Sequence, residues 1–379
     1  MRVSVGLDTQ DKIQLAMDRT LCVREAMQSG IRPFPGIRDA YVFISGDCDL
    51  KFGADGLLDD RGRCGMMRVA AAAATVITSD FPNILLNSMT KKLLADYAEL
   101  GMGGLDQVVI YTDTRDYKRQ DRVRMGYLSD LSTVAEDDPY TDFAKPTDEV
   151  IQYTPTKRGN ILAISRETIL NDDLNKIQAF PTRAARAAHR TLKQFVTNFF
   201  VNNQVFGPDT LAWFHANHGN LGSAALTIDE LIQREAALGL QTEKDSLKPL
   251  GLTLDWLMVP ISLRAKAYQI NNAQFYNPGP MIQVPNPFWL RFGDKGERII
   301  LNELLDASDV NDWYYGTLAS KAPCVEVGFV QGRREPEIIL QNVETVGAVF
   351  TNDRITYKIR HEYGGNVTDF RGVGKNIVA

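Results

Sequence analysis

The chain has 379 residues, 44% of them hydrophobic, with 23% charged residues and a formal net charge of −5; it can bury a substantial core and divide into two or three lobes. The acidic balance argues against a generally basic nucleic-acid binder and makes the distribution of charge more informative than its sum. Cys22, Cys48, Cys64 and Cys324 stand far apart without a CxxC pair, a pattern of reduced cytoplasmic folding and not of a disulfide framework. No run approaches the ~20 apolar residues of a membrane span, and the amino terminus lacks the basic-then-apolar order of an export signal.

Ile13, Met17, Leu21 and Val23 predict an amino-terminal helix between Asp8 and Gln28, with Asp8 or Thr9 as cap and Gly30 as stop. After Pro33 and Pro35, the β-branched and aromatic run AYVFIS (Ala40–Ser45) predicts a strand, and the Gly- and Asp-rich stretch 46–65 a loop. Met66–Leu100 reads as helical with a break at Ser79–Pro82, so a second helix runs from about Pro82 to Leu100. Gly101, Gly103 and Gly104 end it, and QVVIYT starts extended structure.

From Arg115 to Ile164 no helical period is visible, and so long an excursion is either functional or disordered. Arg115, Lys118, Arg119, Arg122 and Arg124 lie on its ascending side, and Glu136, Asp137, Asp138, Asp142, Asp148 and Glu149 crowd the tip and return. Each block is positioned to pair with the opposite block on a neighbouring copy; composition by itself favours a solvated two-stranded loop. A short helix is expected around Arg166–Gln178. Pro181 then opens a helix to about Asn203, ~33 Å long. Ala184, Ala188, Leu192, Phe195 and Phe199 form its apolar stripe, and Arg183, Arg186, Arg190 and Lys193 lie opposite. No acidic residue occurs from Leu174 to Gln204, which suggests an anionic neighbour, DNA or an acidic protein surface, against a chance clustering of surface charge.

Thr227 and Glu230 form a capping box for TIDELIQREAALGL. WLMVPIS reads as a buried strand, SLRAKAYQI as a helix, Asn277–Pro287 as loop, and WYYGTLA, CVEVGFV, EIILQNVE, AVFTND and ITYKIRHEYGG as short strands. Helices and antiparallel strands segregated in this way predict an α+β fold.

Chemistry is sparse. HANHG (His215–Gly219) places two histidines three apart, yet only His189 and His361 remain to complete a zinc site, and no HExxH or paired CxxC accompanies it; a turn whose histidines bond nearby backbone is expected instead. There is no GxSxG elbow, Walker loop or strand-linked GxGxxG. No catalytic residue, cofactor or metal is expected.

DFPNILLNSMTKKLLADY (Asp80–Tyr97), ISRETILNDDL (Ile164–Leu174), AARAAHRTL in the following helix and WFHANHGNLGSAALT (Trp213–Thr227) together resemble the major head subunit of phage Mu and its prophage relatives, as does the ending ITYKIRHEYGGNVTDFRGVGKN. The resemblance runs from about Met66 to the carboxyl terminus; the first 65 residues match poorly, and no fused protease is expected. It implies the Hong Kong 97-type capsid fold: an N-terminal arm (1–80), the first part of a peripheral domain (81–114), an E-loop (115–164), the peripheral domain with its long spine helix (165–216), an axial domain (217–304), and closing strands and tail (305–379). It implies a non-enzymatic subunit that assembles as hexamers and pentamers into an icosahedral head around double-stranded DNA, made in the host cytoplasm and residing in the virion. Portal, scaffold and decoration proteins would be its partners, with nonspecific contact to packaged DNA and no membrane. An encapsulin-like shell protein is the alternative, and a metal-dependent hydrolase built around His215 and His218 the enzyme hypothesis. The E-loop lysines Lys145 and Lys157 are candidates for isopeptide crosslinks, although lysines in exposed loops are commonplace.

Overall fold

The computed structural model describes residues 9–45, 80–126, 128, 130–143, 145–165, 168, 177–279, 282–341 and 354–378. The chain forms two compact units, one from residues 1–100, 157–190 and 334–362, the other from 101–156, 191–333 and 363–379.

The first unit holds helices α1 (Thr9–Thr20), α2 (Ile37–Ser45) and α3 (Asp80–Glu99), the amino-terminal part of α4 (Phe180–Asn202), nearly all of β4 (Thr156–Ser165), β12 (Glu337–Gln341) and the first part of β13 (Arg354–Val367). Phe81, Leu85, Met89 and Leu93 recur every four residues along α3 and are buried against Ile13, Met17 and Leu21 of α1 and Ile37, Ala40 and Ile44 of α2. One charge lies inside this contact. Asp18, 2% exposed, accepts hydrogen bonds from Ser88 Oγ at 2.5 Å, Lys91 Nζ at 2.7 Å and Gln14 Nε2 at 2.9 Å, which offset the cost of burying the carboxylate.

Two local expectations are corrected here. AYVFIS is not a strand: it lies in α2, where Ile37, Ala40 and Ile44 share one face and Tyr41 meets Phe81 edge-on at 5.1 Å. Burial on that face outweighs the β preference of Val42, Phe43 and Ile44. The amino-terminal helix stops at Thr20, because Cys22 takes a left-handed conformation (φ 56) before a short 3-10 turn at Arg24–Gln28. The loop 46–65, the helical stretch 66–79 and the strand AVFTND lie outside the described residues, as does most of the helix expected around Arg166–Gln178.

In the second unit, β1 (Val109–Thr114) runs parallel to β11 (Val325–Val330), which pairs antiparallel with the end of β13. β2 (Gln120–Met125) and β3 (Asp148–Tyr153) form an antiparallel hairpin. A second sheet has the order β5 (Leu221–Gly222), β14 (Val373–Asn376), β10 (Trp313–Gly316), β6 (Trp256–Val259), β9 (Ile299–Leu301). Every residue of β6, β10 and β14 is buried, and α5 (Ile228–Gly239) and α6 (Arg264–Asn272) close the same core with Leu231, Leu238, Ala267 and Ile270. β10 and β14, from the closing stretch of the sequence, thus pair with strands of the 217–304 stretch. Asn277–Pro287, expected as loop, contributes to a second hairpin, β7 (Phe275–Gly279) with β8 (Ile282–Pro285). Its prolines are tolerated because a two-stranded ribbon consists of edges only.

His361 on β13 supplies a titration that reports on the first unit. Its Nε2 bonds the Arg334 carbonyl at 3.0 Å and its ring meets Tyr97 edge-on at 5.9 Å; burial, followed by nearby Arg158, lowers its pKa from 6.5 to about 4. Between those values the unfolded chain binds more protons than the folded one, so stability falls as pH drops from 6.5 towards 4 and is unaffected by this group above 6.5. The loss should reach roughly 2–3 kcal/mol by pH 4.5. Thermal melts at pH 7 and 4.5 test this: His361→Gln should lose correspondingly less stability on acidification, and an equally steep loss in the variant would contradict it.

Candidate assembly surfaces

The β2–β3 ladder runs from Gln120↔Tyr153 to Met125↔Asp148. Strand alternation gives it two different faces. Arg122, Arg124, Glu149, Ile151 and Tyr153 turn towards the rest of the second unit, whereas Val123, Met125 and Val150 are exposed. The inward face is bolted down by charge. At one end, Glu326 Oε1 on β11 accepts hydrogen bonds from Arg122 Nε at 2.6 Å, Tyr153 Oη at 2.6 Å and Thr112 Oγ1 at 2.8 Å; burial, and then the adjacent Glu326, push the Tyr153 phenol above its usual pKa. At the other end, Asp369, 1% exposed, accepts from Arg124 and, at 2.9 Å, from Arg371 Nη1. The Arg371 guanidinium also donates to Glu149 at 3.3 and 3.4 Å, and Lys244 Nζ lies 3.8 Å from the same carboxylate.

Beyond the ladder, the described residues between 126 and 147 form a loop held at its base. Thr147 donates through its amide and hydroxyl to Asp245 at 2.8 and 2.7 Å, which lowers the Asp245 pKa, and Lys248 reaches Asp130 at 2.7 Å. The loop shows several apolar side chains to solvent: Leu131 is 84% and Tyr140 88% exposed, and Leu128 and Phe143 are exposed as well.

The residues singled out from sequence therefore separate. Arg115, Lys118 and Arg119 are exposed; Lys118 lies 4.0 Å from Asp116 and Arg119 3.0 Å from Asp121. Glu136, Asp137 and Asp138 are exposed at the tip. Arg122 and Arg124, expected among the outward charges, point inward and pair within the subunit, because even-numbered positions of β2 fall on the anchored face. On α4, Ala184, Leu192 and Phe199 are buried, and Arg183, Arg186 and Arg190 are exposed with no ion pair among the described residues. Lys193, expected to share that free basic face, is instead paired with Glu303 at 2.6 Å, its side chain only 12% exposed.

HANHG folds as a turn. His215 Nδ1 accepts from the Asn217 amide at 3.1 Å, His218 bonds Asp209 at 2.6 Å and the Trp213 carbonyl at 3.1 Å, and the His218 ring stacks on Phe370 at 3.9 Å. With both nitrogens of His218 so engaged and the two rings 6.0 Å apart, the pair is a poor start for a metal site; among the described residues no group of three or more His, Cys, Asp or Glu is placed to hold an ion. The anchoring partners Glu326, Asp369 and Arg371 were not singled out from sequence. One signal was present: a glutamate inside the apolar strand CVEVGFV demands a buried partner.

Arg371 is the most exacting element of this anchorage. Its replacement by Met leaves Glu149 and Asp369 buried with one cation fewer each, a change that costs about 3–5 kcal/mol in buried pairs, whereas Arg119→Ala at the surface should cost under about 1 kcal/mol. All four tryptophans, Trp213, Trp256, Trp289 and Trp313, belong to the second unit, so tryptophan fluorescence during denaturant unfolding measures both variants directly. Equal stabilities would contradict the anchoring role.

A sequence-family model described as phage capsid protein matches residues 148–376. No curated protein matches. Similar solved structures include the capsid of a native GTA particle (12% identity, TM-score 0.48, covering 74% of this chain and 91% of that one), one from Microbacterium phage Oxtober96 (10%, 0.47, 72% and 90%) and one from Mycobacterium phage Patience (14%, 0.45, 78% and 88%). The family assignment rests on the sequence match and not on these superpositions, and it does not single out the Mu branch. The matched stretch contains β3, α4, both sheets' closing strands and the anchoring residues Glu149, Glu326, Asp369 and Arg371; with more than half of its length matched, the chain belongs to the phage capsid protein family.

Proposed function

We propose that the chain is a shell subunit of the Hong Kong 97 type, which closes as hexamers and pentamers into the icosahedral head around a double-stranded DNA phage genome. In this reading β2, β3 and their loop are the E-loop, α4 is the spine helix, and β5 to β9 with α5 and α6 form the axial domain. The single observation that carries it, beyond family membership, is the division of labour in the hairpin. Its stem is fixed to its own subunit by buried charge, while the loop leaves Leu131 and Tyr140 almost fully exposed and Leu128 and Phe143 about half exposed. Apolar side chains clustered on one projecting loop mark a protein contact, and a tip that meets a different surface on the next copy makes a heterologous interface, the kind that closes into rings. The role is structural and not enzymatic.

The remaining partners follow from the same reading: portal and scaffold proteins, decoration proteins on the outer surface, and packaged DNA. Arg183, Arg186 and Arg190 are assigned to the interior, where contact with phosphate is nonspecific and weakens with salt. Assembly takes place in the host cytoplasm and the product resides in the virion. Among the described residues no helix is long and apolar enough to cross a membrane.

Electron microscopy of the expressed full chain should show closed shells. Replacing residues 128–146 by a short Gly-Ser turn keeps the whole ladder, Glu149 and the Thr147–Asp245 contact, and among the described residues forfeits one ion pair, the exposed Lys248–Asp130, worth about 0–1 kcal/mol. The variant should melt like the parent and form no shells. Normal shells from it would overturn the role given to the loop.

A further inference from the structure

In the second unit, the turn 215–219 and the stretch 369–371 meet through one histidine. His218 is buried; its Nδ1 lies 3.1 Å from the Trp213 carbonyl and its Nε2 2.6 Å from Asp209 Oδ2. A carbonyl oxygen can only accept, and the Asp209 carboxylate also accepts on its other oxygen, from the Leu211 amide at 3.0 Å. A neutral imidazole has a single N–H and would turn a lone pair towards one of these acceptors, so both contacts hold together only when both ring nitrogens carry protons. The groups around the ring fit that state. His215, 6.0 Å away, accepts at Nδ1 from the Asn217 amide and so adds no positive charge, and Phe206 and Gln241 bring none. On the remaining side His218 stacks on Phe370 at 3.9 Å, while Arg371 Cζ lies 4.5 Å from the centre of the same ring. Both cannot share one face at those distances, so Phe370 lies between two cations, each attracted to its π-electrons. Arg371 is balanced in turn by Glu149 and Asp369.

We infer that His218 is a proton-operated latch: doubly protonated, it ties the turn to Asp209 and to the Phe370–Arg371 pair at the root of the hairpin stem, and loss of one proton releases that tie. The folded site holds a proton that the unfolded chain gives up around pH 6.5. The tie is therefore in place near neutrality and is lost as pH rises further. Because Arg371 also holds Glu149 of β3, release at His218 loosens the stem as well as the turn. The latch lies within one subunit and operates whether or not shells form.

The test uses the full chain carrying Cys22→Ser, Cys48→Ser and Cys64→Ser, which leaves Cys324, buried and packed against Gly372, as the reporter of this corner. At pH 7.5 a free imidazole is about nine-tenths neutral, yet nitrogen-15 correlation spectra should show two protonated nitrogens on the histidine that contacts Phe370. Asp209→Asn offers an amide donor to Nε2, so in that variant the ring should carry one proton. Between pH 7.5 and 9.5 the rate at which a thiol reagent reaches Cys324 should rise on the order of tenfold more in the parent than in Asp209→Asn, the effect of losing one charge-assisted hydrogen bond. A bare ring nitrogen on His218 at pH 7.5, or the same pH dependence of labelling in both chains, would overturn the latch. The spectra of the parent decide the proton count even where the variant fails to fold.

Discussion

The second unit depends on a buried group of charges that no local stretch of sequence contains. Arg371 lies between Glu149 and Asp369, Asp369 also takes Arg124, and Glu149 has Lys244 at 3.8 Å. Such a group is expensive to assemble and adds little net stability compared with apolar packing, but it is strongly directional and costly to half-break. That is the behaviour wanted at the root of a projecting hairpin. Apolar contacts would let β2 and β3 slide; paired guanidinium and carboxylate groups hold them in one register against the strand and tail behind.

The consequence is a subunit whose contact element is rigid at its base and uncovered at its end. A preorganised stem lowers the entropy that must be lost when the tip meets a partner, so modest contacts per copy suffice when they are repeated around a shell. The Glu326 end matters equally. Its one oxygen gathers Arg122, Tyr153 and Thr112, which ties both hairpin strands and β1 to β11. The outward face of the same stem, Val123, Met125 and Val150, follows from nothing more than the two-residue repeat of a strand.

Much of this was readable in the sequence where the periodicity was strong. α3, α5 and the strands β6, β10, β11 and β12 lie close to where their patterns placed them, and Thr227 caps α5 as expected, its hydroxyl accepting from the Glu230 amide at 3.2 Å. The reciprocal half of that capping box is diverted: the Glu230 carboxylate goes to Arg234 and to Asn376 of β14. Three of the four failures share a cause. α2 looked like a strand because its face is chosen by α3, β7 and β8 looked like a loop because ribbon edges accept proline, and Arg124 looked like an outward charge because its partner is 245 residues away. Lys193 belonged by helical phase to a free basic face, yet one glutamate from another segment removed it. Long-range partners decide the helix and the two cations, whereas the ribbon pairs with its own neighbouring strand. The family itself was legible from separated runs, although the first of them, Asp80–Tyr97, lies outside the matched residues 148–376.

Amide hydrogen exchange followed segment by segment, in free subunits and in assembled shells, tests most directly the claim that a fixed stem presents a tip to a neighbour. Residues 120–125 and 148–153 should be protected in both states, since their ladder and its buried charges belong to one subunit, whereas residues 128–146 should exchange quickly in the free subunit and slowly in the shell. A tip that exchanges equally fast in both states, or a stem that gains protection only on assembly, would contradict it.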